Sequence, residues 1–126
     1  YVKQMQKTQR SDALTSLQTI TRLQEEYFIR NRSYAADLRG LGYAANSTDS
    51  EQTYYDLSVN ATPVGCSGNS TSPCADFIAL AIPNTDTAQK TSQMKGLDCQ
   101  LISLDNRGRR SAKHQDGSDT SSKCWH

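Results

Sequence analysis

The sequence predicts an α+β domain in which one long helix covers a meander of about four antiparallel strands, and three observations carry that reading. The stretch from Val2 to Arg30 contains no glycine or proline and holds its apolar residues at helical spacing. Later segments alternate bulky and polar residues, or run briefly apolar, between clusters of turn residues. Four cysteines fall into two pairs, Cys66 with Cys74 around a Ser/Gly/Pro-rich loop and Cys99 with Cys124 around a hairpin and polar tail.

The helix comes first, over residues 1–31. Ala13, Leu14, Leu17, Ile20, Leu23, Tyr27 and Phe28 recur every three or four residues and make one stripe. The expected packing face is Leu14, Leu17, Ile20, Leu23 and Tyr27. Before Ala13 the stripe thins to Val2 and Met5 among Lys3, Lys7, Arg10 and several glutamines. A solvated half-helix gains little from burial and is marginal alone. The chain also opens on Tyr1-Val2-Lys3 with no initiator Met, so this half is expected to continue an upstream segment.

Residues 32–53 read as a connecting loop. Asn31-Arg32-Ser33 stops the helix, Ser33 to Gly42 suggests a short helical turn closed by Gly40 or Gly42, and a polar stretch follows from Ala44 to Gln52. The sheet is expected within 54–113. Its strands are Tyr54–Val59, Phe77–Ile82, Leu101–Leu104 and Arg109–Lys113, the last two flanking the turn Asp105-Asn106-Arg107-Gly108. Pro83 to Lys95 reads as a polar connection, and residues 99–124 as a disulfide-bounded C-terminal region.

Composition explains the cysteines. The chain has 126 residues, 35% of them hydrophobic, and a mean hydropathy of −0.73, so one lean core is available. Closing the Cys99 to Cys124 loop stabilises by roughly 3 to 4 kcal/mol. Disulfides persist in oxidising compartments, which places the chain outside the cytoplasm. Zinc is disfavoured because no close Cys-x-x-Cys or His-x-x-x-His pair is present. The net charge of +1 hides a basic first third, an acidic middle and a basic tail. No stretch approaches the roughly 18 apolar residues of a membrane-spanning helix.

Three groups of residues carry a resemblance. They are Tyr1-Val2-Lys3 through Arg10-Ser11-Asp12-Ala13; Gln24-Glu25-Glu26-Tyr27-Phe28 with Asn31-Arg32-Ser33-Tyr34 and Leu38-Arg39-Gly40-Leu41-Gly42-Tyr43; and Tyr54-Tyr55-Asp56-Leu57-Ser58-Val59, Phe77-Ile78-Ala79-Leu80-Ala81, Leu101-Ile102-Ser103-Leu104-Asp105 and Cys124-Trp125. Together the chain resembles the soluble part of a type IV pilin of Gram-negative bacteria, closest to the PilE-like minor pilins. The resemblance implies a type IV pilin-like roll with a disulfide-closed C-terminal loop, and a structural subunit of an extracellular fibre. It implies as partners other pilin subunits, the pilus assembly machinery and, through an N-terminal apolar helix half not found here, the inner membrane before assembly. Adhesion, twitching motility or DNA uptake would follow. A pseudopilin of a type II secretion system is a close relative of that reading. The family's cleavage site is absent, and the Cys66 to Cys74 loop is an addition to its simplest pattern.

No catalytic site, cofactor or metal is expected. A small secreted hydrolase is the rival, but the only histidines, His114 and His126, sit in the tail, and no Gly-x-Ser-x-Gly elbow occurs. Glu25-Glu26 lies beside Arg22 and Arg30 at ion-pair spacing. Asp105, Asn106, Asp116 and Asp119 do not follow the calcium-loop pattern and read as turns. Asn31, Asn46, Asn60 and Asn69 each begin an Asn-x-Ser/Thr triplet, expected to be incidental in a Ser/Thr-rich surface. The candidate DNA or ligand surface is Arg107, Arg109, Arg110, Lys113 and Lys123 with Trp125. Against it, Asp105, Asp116 and Asp119 interleave, and Trp125 is expected to pack on the disulfide.

Overall fold

The structure, a computed structural model, describes residues 2–51, 54–83, 101–113, 119 and 124–125, with side chains from Ser11 onward. Helix α1 runs from Val2 to Asn31. It stops where Arg32 takes a left-handed conformation, φ 56°, with its N–H still bonded to the Phe28 carbonyl at 2.8 Å. The Asn31 side-chain amide also donates to the Tyr27 carbonyl, at 3.0 Å, within the last turn.

The buried face of α1 is rotated from the expected one. Ala13, Leu17, Ile20 and Gln24 are fully buried. Leu14 packs at the margin of the core, Leu23 and Tyr27 are only half-buried, and Phe28 is 40% exposed. The reason is polar. Gln24 donates to the Ala35 carbonyl (3.2 Å) and accepts from the Ala35 N–H (2.8 Å), so the stripe closes on a glutamine clasping the next loop.

That loop contains one 3-10 turn, Leu38–Leu41, capped by Asp37 and ended by Gly42 at φ 101°. Asn46 then ties it to the sheet. Its side-chain oxygen accepts from Leu38 N (3.0 Å) and Val59 N (3.1 Å), while its amide donates to the Val59 carbonyl (3.0 Å).

The sheet has five strands, where four were expected. They are β1 (Thr48–Asp49), β2 (Tyr55–Thr62), β3 (Asp76–Pro83), β4 (Leu101–Asp105) and β5 (Arg110–Lys113). They form an antiparallel meander in the order β1-β2-β3-β4-β5. The added strand β1 pairs Thr48 with Leu57 and Asp49 with Asp56. Two residues inside a polar stretch carry no alternation, so no sequence pattern marks it.

The core lies between α1 and one sheet face. Tyr55, Leu57 and Val59 of β2, Phe77, Ala79 and Ala81 of β3, Ile102 and Leu104 of β4, and Ala112 of β5 meet the helix residues there. Among the described residues no helix is long and apolar enough to cross a membrane.

Cys66 and Cys74 are bonded, with Cα atoms 5.3 Å apart, and close the β2–β3 connection. This loop is fastened to the end of α1. Tyr27 donates to the Gly68 carbonyl at 2.7 Å, Ser33 Oγ accepts from Cys74 N at 2.7 Å, and Tyr34 N donates to the Cys74 carbonyl at 3.0 Å. Cys124 is buried and disulfide-bonded; Cys99, its expected partner, and most of the expected 83–95 connection lie outside the described residues.

Candidate nucleic-acid interface

The basic candidates cluster at one edge of the sheet, on the β4–β5 hairpin. β4 ends in Asp105, and a turn needing positive φ at Gly108 (78°) reverses the chain into β5. Asp105 organises this turn. Its Oδ1 accepts from Arg107 N (3.0 Å) and Arg109 N (2.8 Å), and its Oδ2 accepts from Arg109 Nε (2.6 Å). Burial alone would raise the Asp105 pKa, but the hydrogen bonds from Arg109 and Arg107 and the Arg109 charge outweigh it and hold the carboxyl below its ordinary range.

Asn106 fixes the turn to the neighbouring strand connection. Its side-chain oxygen accepts from Phe77 N (3.0 Å) and its amide donates to Asp76 Oδ1 (2.8 Å), while its backbone N–H bonds the Phe77 carbonyl at 3.2 Å. The arginines therefore project from a cross-braced turn.

Each cation has a distinct setting. Arg109 keeps 73% of its side chain exposed beside Asp105. Arg107 is 66% exposed and reaches Asp76 only at 3.8 Å. Arg110 lies over the Trp125 ring, 5.2 Å from its centroid, and the Trp125 indole N–H is held by the Ser111 carbonyl at 3.0 Å. Lys113 is exposed at the end of β5. Strand alternation puts Arg110 on the side of buried Ala112, and Ser111 with Lys113 on the other. The cations thus straddle the sheet edge instead of sharing one flat face. Lys123 lies outside the described residues.

The ion pairs are weak restraints, because exposed pairs contribute about 0 to 1 kcal/mol. Arg107 and Arg109 can therefore exchange a carboxylate for a phosphate at little cost. Asp105 is committed to the turn; Asp116, His114 and His126 lie outside the described residues, and Asp119 forms a backbone bridge to Lys113. Among the described residues no group of three or more His, Cys, Asp or Glu side chains is placed to hold a metal. Arg22 and Glu26 do pair, at 3.0 Å, on the exposed side of the helix.

Beside the turn, on the sheet face away from the helix, lies a depression of roughly 260 Å³ whose walls include Asn60, Thr62, Asp76, Ile78, Asn106 and Arg107. Residue type alone gave no hint of it, since its members come from three strands and a turn. A second hollow, roughly 210 Å³, sits between the helix and β1, lined by Thr15, Ser16, Thr19, Tyr43, Asp49, Glu51 and Leu57. Burial raises the Tyr43 pKa there, against the lowering effect of Arg22.

A protein-family profile described as "Type IV minor pilin ComP, DNA uptake sequence receptor" matches residues 1–103. The chain belongs to that family. The matched region takes in the helix, the connecting loop, β1 to β3 and the start of β4, and it stops before the basic turn. Membership in this minor pilin family thus rests on the scaffold, and the cationic edge stands on its own geometry. No curated protein matches the chain. As a type IV minor pilin, the protein is pilus-associated.

Proposed function

We propose that this minor pilin acts by binding, not catalysis, and holds double-stranded DNA along the β4–β5 edge while its helix joins it to other pilin subunits in an extracellular fibre. The observation that carries the reading is the braced hairpin. It presents Arg107, Arg109, Arg110 and Lys113 from a rigid sheet edge, each exposed. Such spacing suits a phosphate backbone, where contacts give affinity without sequence information. The family description, a DNA uptake sequence receptor, supports the same ligand. Before assembly the head would face the periplasm, anchored in the inner membrane by an upstream apolar segment.

The test is fluorescence anisotropy of a labelled short duplex titrated with the protein at several salt concentrations. About three phosphate contacts predict a log–log salt slope near −3, at about 0.9 per contact. Charge reversal of Arg110 and Lys113 together should flatten the slope by about 2 and weaken binding at every sequence. Absence of any association at low salt would overturn the reading.

A further inference from the structure

A phosphate-binding edge has no evident use for an acid, yet Asp76 stands among these cations. Its side chain is 42% exposed. Oδ1 takes the Asn106 amide at 2.8 Å and the distant Arg107 at 3.8 Å. Oδ2 accepts no hydrogen bond among the described residues, and neither the Asn60 amide nor the Thr62 hydroxyl has a partner there. Strand register puts these groups side by side. Thr62 is opposite Asp76, and Asn60, Ile78 and Asp105 form the adjoining row across β2, β3 and β4. Ile78, 36% exposed, gives the row an apolar member.

DNA phosphates and sugar ring oxygens only accept hydrogen bonds, so a carboxylate facing a duplex is repelled unless it meets a base amino group. In the major groove a G·C pair offers guanine O6 and N7 as acceptors beside the cytosine N4 amino donor. O6 and N4 are hydrogen-bonded to each other, hence about 3 Å apart. Arg107 stands 3.8 Å from the Asp76 carboxylate, measured to Oδ1, so an arginine donor and a carboxylate acceptor lie side by side as that acceptor and donor do. A depression of roughly 260 Å³ admits a base edge without needing a flipped nucleotide.

We propose that this depression is the sequence-reading site of the DNA interface: Arg107 donates to O6 and N7 of a guanine, and Asp76 accepts from N4 of its paired cytosine. The inference rests on the DNA-binding reading above and divides the labour within it. Arg109, Arg110 and Lys113 hold phosphates, and Asp76 and Arg107 set which sequence is held. Asp76 is thus a specificity-determining residue, and its negative charge serves to reject base edges that offer only acceptors.

The experiment is selection from a pool of short duplexes randomised at their centre, using the wild-type protein and the variants Asp76→Ala, Asp76→Asn, Arg107→Ala and Arg110→Ala. Thermal melting confirms that each is folded. The wild type should enrich a motif with a fixed G·C pair. Asp76→Ala and Arg107→Ala should each relax that one pair by about 5- to 100-fold, whereas Arg110→Ala should weaken all sequences alike. Replacing that guanine by 7-deazaguanine, which lacks the N7 acceptor, should weaken wild-type binding about 5-fold or more and leave Arg107→Ala unaffected. Asp76→Asn keeps the Asn106 contact through its side-chain oxygen, so a changed base preference in that folded variant separates recognition from stability. DNA binding with no enriched motif, or a motif unaltered in Asp76→Ala, overturns the inference while leaving the DNA reading intact. No DNA binding at all overturns both.

Discussion

Removing the Asp105 carboxylate in two stages separates the turn from the ion pair. In Asp105→Asn the side-chain oxygen still accepts from Arg107 N and Arg109 N, but an amide replaces Oδ2 opposite Arg109 Nε. Only the charge-assisted contact is lost. Because Arg109 is 73% exposed, solvent screening limits that loss to about 0.5 to 1 kcal/mol. Asp105→Ala also frees two turn N–H groups at about 1 kcal/mol each, for a total of about 2 to 3 kcal/mol. For a domain of this length those losses lower the melting midpoint by roughly 3 °C and roughly 10 °C.

The acid dependence supplies a second reading of the same group. Asp105 is held below its ordinary pKa in the folded chain, so the unfolded chain binds more protons on this group as pH falls. Its stabilisation is complete above the ordinary value of about 3.9 and disappears as pH drops through the folded value. Thermal melts of wild type and Asp105→Asn should therefore differ at neutral pH and converge at acid pH, while Asp105→Ala, which lacks the acceptor for both turn N–H groups, stays below them throughout. Equal losses for Asn and Ala at neutral pH would refute the atom-by-atom assignment. So would a gap between wild type and Asp105→Asn that persists in acid.

Other expectations follow from the helix end and its loop. Gln24→Leu leaves the buried Ala35 N–H and carbonyl without partners and should cost about 2 to 5 kcal/mol in chemical denaturation; a loss under about 0.5 kcal/mol would show that water or another group replaces the clasp. Tyr27→Phe removes the bond to Gly68 and should cost about 1 kcal/mol, with faster amide exchange in the Cys66–Cys74 loop as its local signature. Replacing both Cys66 and Cys74 by alanine opens a loop of sequence separation 8, which the chain-entropy model values at about 2.5 kcal/mol. Trp125→Leu removes the ring beneath Arg110 and should lower DNA affinity about 2- to 5-fold at low salt, measured by anisotropy. Loss of that effect in an Arg110→Ala background would confirm that the ring acts through the arginine.

Much of this architecture was written in local pattern. An uninterrupted helical period, two apolar or alternating strands and a polar turn after Leu104 specify α1, β2, β3 and the β4–β5 hairpin, because each depends on residues near one another in the chain. The cluster Arg107, Arg109, Arg110 and Lys113 was equally visible, since one hairpin carries all of it. The position of the helix face, the short strand β1 and the depression around Asp76 were not. Gln24 is buried only because Ala35 offers it both a donor and an acceptor. β1 exists only because β2 presents an edge to it. Asp76 meets Asn60, Thr62 and Arg107 only through strand pairing and a turn roughly thirty residues away in sequence. Composition and period determined the elements. Long-range hydrogen bonding, which no local window contains, decided what those elements place side by side.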